Sequence, residues 1–184
     1  ADYFGRVTAM ALSDMYKQQV VADNRLGAGG LIAMKLLKEA TPDGYTIGTQ
    51  STTSFTYAVH VFGAKLPYNP VRDFTPVTRV ALVPLMLVVH PSIPSKSLRE
   101  LADYIKARPG KLSYASFGLG STPHVAGEMF RHATGIDYQH VPYKGSGQAH
   151  PDLLGGQVLM MFDTVLASVG HVRSGRLRGL AVTS

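Results

Sequence analysis

Apolar residues recur at helical spacing over residues 3–19 (Phe4, Val7, Met10, Ala11, Met15), which predicts an amphipathic helix with Asp2 as its cap. The short run at 19–22 reads as a strand. The glycine loop DNRLGAGG at 23–30 then feeds a second helix over 31–39, buried through Leu31, Leu36 and Leu37 or their neighbours. TPDG at 41–44 has the residues of a tight turn. A strand at 45–49, a polar loop at 50–53 and a short helix around 54–61 follow. Prolines break up 63–74 into irregular chain, and 75–89 is apolar and extended, with 80–89 read as one or two buried strands interrupted by Pro84.

The firmest helix signal lies at 97–108. Ser97 and Glu100 make a capping box, Leu98, Leu101, Ala102 and Ile105 form one face, and Pro109-Gly110 ends it. KLSYASFGLGSTPHVAGEMF at 111–130 reads as a strand, a loop of glycine and hydroxyl residues, and a helix running to about Ala133. Ser121 and Thr122 suit the helix cap, and Pro123 suits its first turn. A strand at 138–141, the loop YKGSG, a helix to Leu154 and a Gly155-Gly156 turn come next. Pro151 is expected to shift or break the start of that helix. A strand at 157–162 leads to Asp163, then a helix to about Arg173 and a last strand at 179–183. Strands alternate with helices throughout, so the class is α/β with a largely parallel sheet, whose ligands bind at the carboxyl ends of the strands.

Composition narrows the partners. The 184 residues carry 45% apolar and 16% charged residues, a balance that supports a folded core. No stretch approaches the ~18–20 apolar residues that span a bilayer. Residues 1–10 lack the basic start and apolar run of a signal peptide, and both ends of the chain look cut. With no cysteine, disulfides, thiolate metal sites and cysteine nucleophiles are excluded. The net charge of +6 is spread out, with only Arg173, Arg176 and Arg178 close to a cluster and no aromatics interleaved, so nucleic acid is not the expected partner.

Five strand or loop ends carry residues suited to a small anion: Asn24 with 27–30, 50–53, 116–122, 143–146, and Asp163-Thr164. The helix start at 121–122 leaves backbone N–H groups and the positive end of the helix dipole facing the loop. Each loop alone could be an ordinary cap or turn; five together point to a ligand cleft. Nucleotide fingerprints fail on spacing. His124 and His132, eight apart, stand too far separated for one metal. Ser116 or Ser121 with His124 and Asp163 lacks a nucleophile elbow, and the helix dipole makes His124 a poor base. Asp163 would repel an anion, so it is expected either to accept from a ligand ammonium or hydroxyl, or to cap the next helix.

These residues lie in motifs that resemble the substrate-binding proteins of the tripartite tricarboxylate transporter system, the Bug family of extracytoplasmic solute receptors. The motifs are VVADNRLGAGG (20–30), TPDGYTIG (41–48), KLPYNPVRDFTPVTRV (65–80), the 111–130 unit, HVPYKGSG (140–147), DLLGGQVLMMFD (152–163) and GRLRGLAVTS (175–184). The resemblance implies a two-lobed periplasmic-binding-protein type II fold, here truncated at both ends. It implies a first lobe at 1–82, a second at 83–177 and a return crossover strand at 178–184. It further implies capture of a small carboxylate (a di- or tricarboxylate, an acidic amino acid or an aromatic acid) for membrane permease subunits in the periplasm. No catalysis, cofactor or metal is implied. Carried onto this chain, the ligand-binding residues are Gly29, Gly30, Ser51 and Thr52 from the first lobe. Ser116, Gly120, Ser121, Thr122, Tyr143, Lys144 and Asp163 come from the second. The alternative is a small-molecule sensor or accessory protein that signals through a membrane partner.

Overall fold

In the computed structural model, which describes residues 2–183, the chain divides into two units, Ala1–Ala81 and Leu82–Ser184. Every strand among the described residues belongs to the second unit. They are β1 (Leu85–Val89), β2 (Ser113–Ser116), β3 (Gln139–Pro142), β4 (Met160–Thr164) and β5 (Arg178–Val182), in the order β3-β2-β4-β1-β5. Strand β2 pairs in parallel with β3 and β4, whereas β1 runs antiparallel to both β4 and β5. The expected largely parallel sheet is thus found in the β3-β2-β4 half, and β1 reverses direction inside the sheet. Ser184, the last residue of the expected crossover strand, lies outside the described residues.

Neighbouring residues on the strands feed opposite faces, as the pleat requires. Leu87, Val89, Tyr114 and Met160 join Leu101 and Ile105 of α4 (Leu98–Lys106) in one buried cluster, against which Ala126 and Phe130 of α5 (Thr122–Thr134) pack. Val88, Ala115 and Met161 join Ala149 and Leu153 of α6 (Ser146–Leu154) in another, with Val172 of α7 (Val165–Arg173) against it. Helices on both faces bury the parallel half of the sheet, the three-layer arrangement such sheets need.

Helix α4 is capped by Ser97, whose hydroxyl accepts from the Glu100 N–H at 3.2 Å. The Glu100 carboxylate reaches back to the Lys96 N–H at 2.8 Å, so the box closes one residue earlier than the usual motif. Leu98 is exposed, leaving Leu101, Ala102 and Ile105 as the buried face. Replacing Ser97 by alanine will cost about 1 kcal/mol, seen as a lower urea midpoint with unchanged slope. Pro151 does not break α6. It removes one donor inside the helix, while Ala149 and Leu153, both fully buried, hold the segment in place.

The first unit contains α1 (Asp2–Tyr16), α2 (Leu31–Glu39), α3 (Tyr57–Phe62) and short 3-10 turns. Asp2 does not act as a free cap, because its carboxylate takes Arg6 and Asn24. Helix α2 has the expected limits but buries Met34, with Leu36 exposed. The strands expected at 19–22 and 45–49 are absent; Val21, Tyr45 and Ile47 are exposed. An alternating or apolar run specifies extended backbone, but a strand also needs a partner ladder, and none is present for these segments among the described residues. The same holds for 75–84, so the extended stretch becomes a strand only at Leu85. The proline-rich segment is fastened by the Lys38–Asp73 ion pair at 2.9 Å, the Asn69 N–H donating to Asp73 at 2.8 Å and Tyr68 donating to the Ser54 carbonyl at 2.6 Å. Among the described residues no helix is long and apolar enough to cross a membrane.

Candidate functional site

Because β2, β3 and β4 run parallel, their carboxyl ends share one edge of the sheet, and each leads into a helix: β2 into α5, β3 into α6, β4 into α7. The Tyr143 N–H donates to the Ser116 carbonyl at 2.9 Å, joining the first two ends.

Ser116 is fully buried. Its hydroxyl accepts from the Gly118 N–H at 3.0 Å and lies 2.6 Å from His140 Nε2. Gly118 (φ 103°) and Gly120 (φ 75°) take the left-handed backbone that brings the chain back to the helix. Ser121 occupies the cap position, yet its hydroxyl donates to the Gly118 carbonyl at 2.6 Å and makes no cap hydrogen bond. This corrects the capping role expected for it: the hydroxyl closes the loop instead. Gly120 itself is buried, and its N–H donates to Nδ1 of His124, one turn into α5, at 3.2 Å. Thr122 is half-buried at the helix start.

Beneath this loop the His124 and His140 rings lie 4.5 Å apart, and Tyr114 stacks on His140 at 4.9 Å. The Tyr114 hydroxyl donates to Glu128 Oε1 at 2.9 Å. Burial pushes both histidines below their ordinary value; the Glu128 charge opposes this, and His124 lowers His140 further. His140 was not among the expected site residues. Its place follows from register, since β3 sets His140 opposite Tyr114 and Pro142 opposite Ser116.

Asp163 is fully buried and its acceptor positions are filled. Ser146 donates to Oδ1 at 3.0 Å and the Thr164 N–H at 2.8 Å; His150 Nε2 lies 2.7 Å from Oδ2, and Ser168 donates to it. Burial pushes this carboxyl up, but the His150 and Ser168 hydrogen bonds outweigh it and hold the group below the usual carboxylate range. Four donors match what an ionised carboxylate accepts. Asp163 therefore ties the end of β4 to α6 and α7 through partners within the protein. The candidate triad is dispersed as well: Ser116 meets His140, His124 meets Gly120, and Asp163 meets His150.

Tyr143 is half-buried and donates to Asp152 at 2.7 Å; burial, then Asp152, pushes its hydroxyl up to about 12. Lys144 is exposed and forms no ion pair among the described residues. The second unit thus brings together Ser116, Gly120, Ser121 and Thr122 in one loop, with Tyr143-Lys144 joined to it through Ser116. Among the described residues no group of three or more His, Cys, Asp or Glu is placed to hold a metal.

In the first unit, residues 27–30 all have positive φ, with Gly29 at 64° and Gly30 at 98°. A side chain at Gly30 would meet Gln50 Oε1 at 3.0 Å and Ser54 Oγ at 3.3 Å, so the glycine turn and the 50–54 loop are in close approach. Ser51 and Thr52 are exposed there; the Ser51 hydroxyl pairs with Thr53, and the Thr52 carbonyl accepts from Thr56 N–H at 2.9 Å. Gln50, within the polar loop expected at 50–53, joins this group by its contact with the glycine turn.

The family model described as Tripartite tricarboxylate transporter family receptor matches residues 4–184. This chain belongs to that family. It is 40% identical over 183 residues to protein BugT of Bordetella pertussis, covering 100% of this chain and 56% of the relative. A solved R. palustris protein with adipate is 39% identical with a TM-score of 0.91, covering 100% of this chain and 61% of that one. MatC from Rhodopseudomonas palustris with bound malate is 30% identical with a TM-score of 0.88, over 100% and 62%. The resemblance read from the motifs is borne out, and with it the periplasmic-binding-protein fold class. The family is one of receptors, not enzymes. The chain spans about half the length of the curated relatives it matches.

Proposed function

We propose that this chain belongs to a periplasmic solute receptor that captures a small dicarboxylate and presents it to membrane permease subunits. The observation that carries the reading is the β2–α5 turn, a loop held in a fixed shape at the start of a thirteen-residue helix. Backbone donors at such a start favour a carboxylate, and the dipole adds to the attraction. Exposed Lys144, in the segment joined to that loop, supplies a positive charge of the right sign. The adipate and malate held by two structural neighbours support a dicarboxylate over other anions. In this reading the helix start at Thr122 and Lys144 face the ligand, while Ser116, Gly120, Ser121 and Tyr143 hold the loop. Residues 1–82 belong to a first lobe carrying Gly29, Gly30, Ser51 and Thr52, 83–177 to a second, and 178–184 to the returning strand.

Thermal unfolding of the chain with adipate, malate and a wider set of di-, tri- and aromatic carboxylates tests this. A ligand at about 100 times its Kd will raise the melting temperature by roughly 5–11 °C for a chain of this size. Melting that is cooperative and unmoved by every acid in the set overturns the carboxylate reading.

A further inference from the structure

We propose that His124 is a proton-sensitive latch on the 118–121 loop: neutral His124 holds the Gly120 N–H, and protonation releases it. The functional consequence rests on the carboxylate reading above; the latch itself rests on side-chain geometry.

Gly120 N–H donates to His124 Nδ1 at 3.2 Å, so that nitrogen presents a lone pair and the ring proton sits on Nε2. A second proton can enter only at Nδ1. It would then face the Gly120 N–H, two donors meeting at a buried glycine with no acceptor between them. The bond must break and the loop must part from the helix. The other histidine is not equivalent. His140 Nε2 stands against a hydroxyl, which can donate to the ring or turn to the Gly118 carbonyl at 3.3 Å, so Ser116 accommodates either protonation state.

The groups around the pair decide where the proton goes. Glu128, one turn along α5, faces His124 and takes the Tyr114 hydroxyl; Arg131 on the same helix pairs with Glu128 at 3.5 Å. Tyr114 from β2 and Tyr138 before β3 are uncharged and meet each other edge-on, with Tyr114 stacked on His140. Glu128 favours a proton on either ring, and a charge on one ring, 4.5 Å from the other, disfavours a second. A proton on His124 opens the Gly120 end while the Ser116 anchor stays closed. Burial and the helix N-terminus both oppose the cation, so the folded chain binds this proton less readily than the unfolded chain. The latch is closed above the ordinary histidine range and opens as pH falls through and below it.

The test follows the Gly120 amide and the His124 ring by NMR in the full chain between about pH 7.5 and 5, the range in which histidines titrate. In the wild type the Gly120 amide will move with the midpoint of the His124 ring. His124→Asn keeps an acceptor near the Nδ1 position without titrating, and its Gly120 amide will stay still. Adipate affinity will fall about threefold or more further on acidification in the wild type than in His124→Asn, the variant cancelling the titration of adipate itself. A wild-type Gly120 amide that ignores the His124 titration overturns the latch, as does an equal fall in affinity for both proteins. If neither protein binds adipate or any other acid, the carboxylate reading fails and the amide titration alone decides the latch. Should His124→Asn not fold, the wild-type comparison of amide and ring still decides it.

Discussion

Asp163→Ala will destabilise the chain by about 3–5 kcal/mol, the cost of stranding the partners of a buried charge. The carboxylate is fully buried and collects Ser146, His150, Ser168 and the Thr164 N–H from three successive elements. Alanine leaves all four donors without their acceptor, and loses the tie between β4 and the helices α6 and α7. Asp163→Asn will cost less, because the amide oxygen still serves Ser146 and Thr164 while its NH2 can donate to a neutral His150 ring. Urea unfolding followed by circular dichroism separates the two; an alanine variant within ~1 kcal/mol of wild type would show that the network adds little. The pH dependence has a defined sign. The folded carboxyl sits below its ordinary value of 3.8, so its contribution is complete above that value and is lost as pH falls through the folded one.

Gly127→Ala will destabilise by about 2–3 kcal/mol, although alanine is the better helix former by about 1 kcal/mol. Gly127 lies inside α5 where the helix crosses Tyr114. An added Cβ would meet Cζ of that ring at 2.7 Å and Cδ2 at 3.0 Å, with Cε2 closer still. Tyr114 cannot retreat. It is fully buried between Tyr138 and His140, and its hydroxyl is held by Glu128. The strain will therefore pass to the helix that follows the 118–121 loop, and under the carboxylate reading proposed above acid binding will weaken along with stability. A more stable Gly127→Ala variant would mean that α5 stands further from β2 than the ring contacts require.

Much of the second unit follows from local pattern. The Ser97–Glu100 spacing announces α4, and the 111–130 segment announces β2, the glycine turn and α5, because caps, left-handed glycines and a first-turn proline act over a few residues. The glycine and hydroxyl residues of the β2–α5 turn are legible on the same ground. What failed was whatever needed a distant partner. The segments at 19–22 and 45–49 have strand-like sequences but no ladder, so Tyr45 stands exposed. The parallel expectation missed the reversal at β1, which is set by its pairing with β4 and β5.

The site divides along the same line. Sequence by itself determined the family, the loops and the hydroxyl, glycine and carboxylate residues placed on them. Only the tertiary structure decided which of those polar groups remain available to a ligand. Ser116 and Asp163 are consumed by His140 and by Ser146, His150 and Ser168, partners between 5 and 24 positions away. A hydrogen bond between elements depends on strand register and helix rotation, which no short window of residues encodes.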